Sequence, residues 1–144
     1  MSNVNDWNRR VMEEFHANAG KVGGPFEGKP MLLLTTTGAK SGQRRTTPLV
    51  YLPDGDRLII FASKGGAPTH PDWYHNLVAH PQVTVEIGKG SGTETFEASA
   101  TVLTGEERDR MYAKQAQVMP QFGEYQAKTS RQIPVIALER SKGS

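Results

Sequence analysis

Cysteine is absent from the 144-residue sequence. Its absence excludes disulfides, thiol nucleophiles, thiolate zinc sites and iron–sulfur clusters together. It agrees with a reducing compartment, and a cytoplasmic location is expected. No apolar run approaches the ~20 residues of a transmembrane helix. The opening stretch, MSNVNDWNRRVMEEF, is mixed in charge and lacks the apolar core of a secretory signal. A strong charge imbalance is missing too: 17 Lys+Arg against 15 Asp+Glu leave +2. That is not a nucleic-acid-binding composition, so no nucleic-acid partner is expected. The length suits a single domain over 1–144, with an N-terminal helix in 1–20 and a core over 30–140.

What the chain does have is clustered charge. Between positions 38 and 64, Lys40, Arg44, Arg45, Arg57 and Lys64 stand against Asp54 and Asp56. The densest part is GAKSGQRR, Gly38 to Arg45, between two strand-like runs. A hairpin turn needs glycine or polar residues, not three cations. The local excess suits an anionic ligand. A solvated basic loop is the bland alternative.

The remaining pattern places this turn in a β-rich fold. Trp7, Val11, Met12 and Phe15 recur at helical spacing over 5–19, and Gly20 offers a stop. Strands are expected at 30–37, 45–52 and 57–63, with the last two joined as a hairpin through PDGD at 53–56. Pro48 demands an edge position or a bulge. Residues 71–80 read as a short helix with Pro71 in its first turn, and 82–88 and 93–103 as paired strands. Thr104 and Glu107 have capping-box spacing before a helix to about 118, and 132–139 is a last strand. About six mostly antiparallel strands with peripheral helices make an α+β fold that favours a small barrel. No strand–glycine-loop–helix unit opens the chain, which argues against a dinucleotide fold.

Hydrolytic and metal machinery do not stand out. A phosphate-binding loop would need glycines where Leu34 and Ala39 stand, and a following helix. In Gly38-Ala39-Lys40-Ser41-Gly42 the serine is one place late for a nucleophile elbow. His70, His75 and His80 are five apart, which on a helix turns each neighbour about 140° away. They read as ordinary histidines, and no metal is expected. Asp54 and Asp56 belong to a turn, Glu106 and Glu107 to a helix start. What remains is a basic turn, a Ser-Lys-Gly-Gly loop and PDWYHN. Trp73 and Tyr74 could be core, or a flat wall for a planar ligand. Asn76 would add an amide one turn on. With anchoring cations this suits a planar ring with an anionic tail, whose own chemistry the protein orients.

The segments TTTGAKSGQRRTTPLVYL, FASKGGAPTHPDWYHNLVAHPQVTVEIG, ERDRMYAK and PQFGEYQAKTSRQIPVIAL together resemble the deazaflavin-dependent nitroreductase family, of the coenzyme F420H2-dependent quinone reductase type found in actinobacteria. The resemblance runs from about Leu32 to Leu138. It implies a split β-barrel and reduced coenzyme F420 as hydride donor. The cofactor has carbon where a flavin has N5, so hydride transfer needs close orientation but no nucleophile or metal. The resemblance places Ala39, Lys40, Ser41, Gly42, Arg45, Thr46 and Pro48 toward the cofactor's anionic tail. It places Ala62, Ser63 and Lys64 beside the ring, with Trp73, Tyr74 and Asn76 walling it. Ser63, Trp73, Met119, Phe122 and Tyr125 match the substrate side, and Tyr125 is the one candidate proton donor. Family members often carry several tyrosines before Tyr-Gln. Met119 and Phe122 stand at that spacing here, which removes two hydroxyls and favours a more apolar acceptor over prodrug nitroreduction.

The expected activity is therefore hydride transfer to a quinone, an activated enone or lactone, or a nitroaromatic. A separate F420-reducing enzyme is implied as partner. An FMN oxidoreductase of the same fold, with FMN phosphate on the basic turn, is one alternative. A non-catalytic F420 carrier is another. The N-terminal helix could lid the pocket, touch a membrane surface weakly, or simply pack on the barrel. Packing is the preferred reading, because Glu13 and Glu14 offset Arg9 and Arg10.

Overall fold

The computed structural model describes residues 3–23, 30–67, 69–89 and 92–141, with side chains of helix α1 described from Asn8 onward. Helix α1 spans Asn3–Ala17. The strands are β1 (Met31–Thr37), β2 (Arg44–Val50), β3 (Leu52–Asp54), β4 (Arg57–Phe61), β5 (Gln82–Lys89), β6 (Gly92–Leu103) and β7 (Val135–Arg140). Helices α2 (Asp72–Ala79), α3 (Gly105–Val118) and α4 (Gln121–Lys128) complete the set.

All seven strands form one antiparallel sheet in the order β2-β1-β5-β6-β7-β4-β3. Its two edge strands, β2 and β3, are separated in sequence by Tyr51 alone. Laid flat, the edges would lie about 29 Å apart at ~4.8 Å per strand gap. One residue spans only ~3.4 Å. The sheet must therefore curl until its edges meet, which makes the half-barrel of a split-barrel fold. The single hairpin expected over 45–63 is thus corrected. Its first strand breaks at Tyr51, so β2 pairs with β1 and only the short β3 pairs with β4. Pro48 sits on edge strand β2, opposite Leu33, where its missing N–H costs no ladder bond.

Curling explains why β1, β4 and β7 read as continuous apolar runs: both faces are covered. Leu32, Leu34, Ile60, Ala62, Val83, Val85, Ala98, Ile136 and Leu138 form one core with Trp73 and Leu77 of α2. The alternate positions Ile59, Phe61, Val135 and Ala137 face outward against Met111 and Tyr112 of α3 and Phe122 of α4. Met31 and Leu33 face Val11 and Phe15 of α1. The N-terminal helix is thus packed on the barrel, as preferred from sequence. The Trp7 side chain lies outside the described residues. A close approach fixes where α1 ends: a Cβ on Gly20, whose φ is +90°, would sit 2.5 Å from Gly88 Cα. His16 Nε2 adds a contact of 3.0 Å to Glu86.

One local expectation differs. Thr104 occupies the N-cap of α3 but makes no side-chain capping bond. Glu107 instead accepts from Arg57 at 3.0 Å, and Arg57 also holds Asp54 at 2.6 Å. A tertiary ion pair has replaced the local cap. Helix α4 was not separable by periodicity from the loop around it. No helix among the described residues is long and apolar enough to cross a membrane.

Candidate functional site

The basic turn closes on its own backbone. Gly38 N donates to Gln43 O at 2.7 Å and Gly42 N to Gly38 O at 3.0 Å. Ser41 Oγ accepts from Gln43 N at 3.1 Å, which leaves its hydroxyl proton available. Gly42 adopts φ +72°, open to glycine at little cost. The Lys40 and Arg45 side chains are therefore not needed to build the turn.

Helix α2 fixes the turn to the barrel. Trp73 and Leu77, four apart, enter the inner core. The buried Asn76 then meets the end of β1. Its Oδ1 accepts from Ala39 N at 3.0 Å and its Nδ2 donates to Thr36 Oγ1 at 3.2 Å. Both ends of this amide are spent on positioning. Asn76 thus holds the turn to β1.

Between turn and helix lies a cleft of about 570 Å³, lined by Gly38, Ala39, Lys40, Ser41, Arg45, Asp72, His75 and Asn76. Lys40 and Arg45 are exposed and have no ion-pair or hydrogen-bond partner among the described residues. The other cations of this region are committed. Arg44 donates to Thr84 Oγ1 at 2.6 Å, and Thr84 donates on to Glu97 at 2.8 Å. Arg57 is held as described above. Lys64 Nζ donates to Thr69 Oγ1 at 3.2 Å. Two free cations, a serine hydroxyl and a firm turn suit an anion of several charges. Asp72 and His75 join this lining, and sequence pattern gave no signal for either beyond their place on α2.

The other sequence candidates lie elsewhere. Thr46 and Pro48 alternate with Arg45 along β2 and point to its opposite face. Ala62 is fully buried in the inner core. Ser63 and Lys64 follow it on the 62–70 loop, where Lys64 begins a 3₁₀ turn with φ +47°. Tyr74 is half-buried, its ring 4.7 Å from His70. Met119 and Phe122 are buried in the outer core, so the substrate-side set is split: Trp73 belongs to the inner core. Tyr125 is half-buried against Phe122, ring centroids 5.1 Å apart. Burial pushes the nearby Tyr112 phenol up to about 12, and its hydroxyl donates to Phe122 O.

His70 connects the loop to α2. Burial lowers it first, and the Arg131 guanidinium and His75 lower it further. The unfolded chain therefore binds a proton at higher pH than the folded one. Stability is full above the ordinary histidine range, near 6.5, and falls as pH drops toward the folded value. Denaturant midpoints are expected to decline between pH 7 and 5, and His70→Asn should flatten that decline.

A family model for F420H2-dependent quinone reductases matches residues 7–140. The chain belongs to this family. The F420H2-dependent quinone reductase of Mycobacterium tuberculosis strain H37Rv is 41% identical over 132 residues, covering 88% of this chain and 85% of that protein. A solved F420H2-dependent reductase, FDR-A, is 42% identical with TM-score 0.67 over 76% of this chain and 94% of its own. Another solved structure, described as a domain-swapped dimer, is 38% identical with TM-score 0.68 over 94% and 98%. The split-barrel expectation agrees with these neighbours. Members of this family are oxidoreductases that take electrons from F420H2.

Proposed function

We propose that this chain reduces a quinone-type acceptor with F420H2. The observation that carries the reading is the cleft at the basic turn, where Lys40 and Arg45 stand unpaired among the described residues. Lys40, Arg45 and the Ser41 hydroxyl would hold the anionic tail. Ser63, Lys64 and Tyr74 would meet the ring side. When bound, the reduced cofactor supplies a hydride. The protein binds, orients and limits water around the acceptor. Tyr125 would hold a proton at its phenol oxygen for the reduced product. The apolar Met119 and Phe122 behind it favour an apolar quinone over a polar nitroaromatic prodrug.

Mixing the protein with F420H2 and menadione tests this. Oxidation of the cofactor well above the uncatalysed rate is the expected result. Background rates with both menadione and a coumarin-type lactone would remove the enzymatic reading. A purified protein that stays colourless after dialysis is also expected, because a retained flavin would give visible yellow.

A further inference from the structure

No sequence motif assigns Arg131 a role, yet it makes the densest polar contact set on the 62–70 loop. Its Nε donates to Ala67 O at 2.8 Å. Nη1 donates to Ala62 O at 3.2 Å and lies 2.9 Å from His70 Nδ1. Nη2 donates to Ser63 O at 2.8 Å. One half-buried side chain thus holds three carbonyls and a ring nitrogen of a single loop. Guanidinium carries only donors, so His70 Nδ1 must accept and the ring proton sits on Nε2. That ring in turn meets Tyr74 at 4.7 Å.

The loop needs such a tie. Lys64 has φ +47°, a region that residues with a Cβ seldom adopt. Gly66 has φ +84°, and a Cβ there would lie 2.8 Å from Tyr125 O, so the loop is seated against α4. Short irregular segments with few apolar side chains open readily unless held. Lysine could not substitute, because a single ammonium lacks the planar fork that reaches four acceptors.

We propose that Arg131 is a positioning residue, fixing the 62–70 loop and the His70–Tyr74 pair in the arrangement that the reductase site uses. The proposal rests on the reading that places Ser63, Lys64 and Tyr74 on the ring side. It separates two tasks: the turn at Lys40 and Arg45 sets tail affinity, and Arg131 sets ring orientation.

The test uses Arg131→Lys, Arg131→Ala, His70→Asn and His70→Leu in the full chain. Asparagine keeps an acceptor near Nδ1, and leucine removes it. In the ligand-free protein, amides of residues 62–67, 69 and 70 should exchange at least about tenfold faster in Arg131→Lys, with β1 and β5 unchanged. Histidine ¹⁵N spectra should show His70 losing its fixed Nε2–H form. With F420H2 and menadione, kcat should fall about tenfold or more. The Kd for oxidised F420 should move less than about threefold, since the turn is intact. In exchange, His70→Asn should stay closer to wild type than His70→Leu, which should follow Arg131→Lys. Unchanged exchange in Arg131→Lys, or equal behaviour of the two His70 variants, overturns the proposal. If Arg131→Ala does not fold, the other three variants decide it. A wild type inert toward F420H2 overturns the reductase reading and the catalytic half of the proposal. Exchange and tautomer data then decide the loop clamp by themselves.

Discussion

Trp73→Ala is expected to lower stability by about 3–5 kcal/mol, the range for removing a large buried aromatic. Trp73 is 8% exposed and sits among Leu32, Leu34, Ile60, Ala62 and Leu77 in the inner core. Domains of this kind hold only about 5–15 kcal/mol in total, so the loss is a large fraction. Helix α2 amplifies it. The same two turns that bury Trp73 present Asn76 to Ala39 and Thr36 and place Asp72 and His75 along the cleft. Loosening Trp73 should therefore weaken cofactor binding indirectly, in step with stability. Trp73→Phe keeps most of the apolar volume and should recover most of both. Urea titrations beside cofactor titrations check this. A Trp73→Ala protein of wild-type stability with impaired turnover would mean that the indole walls the ring after all.

The second large effect belongs to the basic turn. Arg45→Ala and Lys40→Ala should each weaken F420 binding by about 1.5–3 kcal/mol, the range for hydrogen bonds to charged groups. That corresponds to roughly 10- to 150-fold in Kd. Stability should hardly change, because neither side chain has a protein partner among the described residues and the turn closes through Gly38, Gly42 and Gln43. Arg44→Ala is the internal control. Its guanidinium is spent on Thr84, so its loss should leave tail affinity near wild type. Both cleft cations are exposed, and salt should reduce their contribution. An Arg44→Ala protein impaired as strongly as Arg45→Ala would place the tail along β5 instead.

The strands, the N-terminal helix and α2 were legible because their signals are local: apolar alternation, a glycine stop and a proline start. Pro48, which cannot donate, narrowed β2 to an edge or a bulge, and the strand order makes it the edge. The partition at Tyr51 was not legible. TTPLVYL reads as one extended run, and only closure of the sheet decides that it serves two edges. The capping box failed because Arg57 offered Glu107 a partner 50 positions away. The cleft follows the same rule. Lys40 and Arg45 announce themselves by charge density, and Ser41 by the family resemblance. The commitment of Asn76 to Thr36 and Ala39 depends on how α2 docks, 37 to 40 positions further on. Arg131 is the extreme case: its contacts lie 61 to 69 positions away, and no spacing rule reaches that far.

In the proposed function this turn anchors the tail of the deazaflavin. Equilibrium titration of the wild-type protein with intact F420 and with its deazaflavin core lacking phosphate and glutamates tests it most directly. Intact F420 should bind at least about tenfold tighter, a difference of about 1.4 kcal/mol or more. Raising the salt from 0.05 M to 0.5 M should shrink that difference. Equal affinities for the two compounds, unmoved by salt, would mean that the turn does not hold the tail.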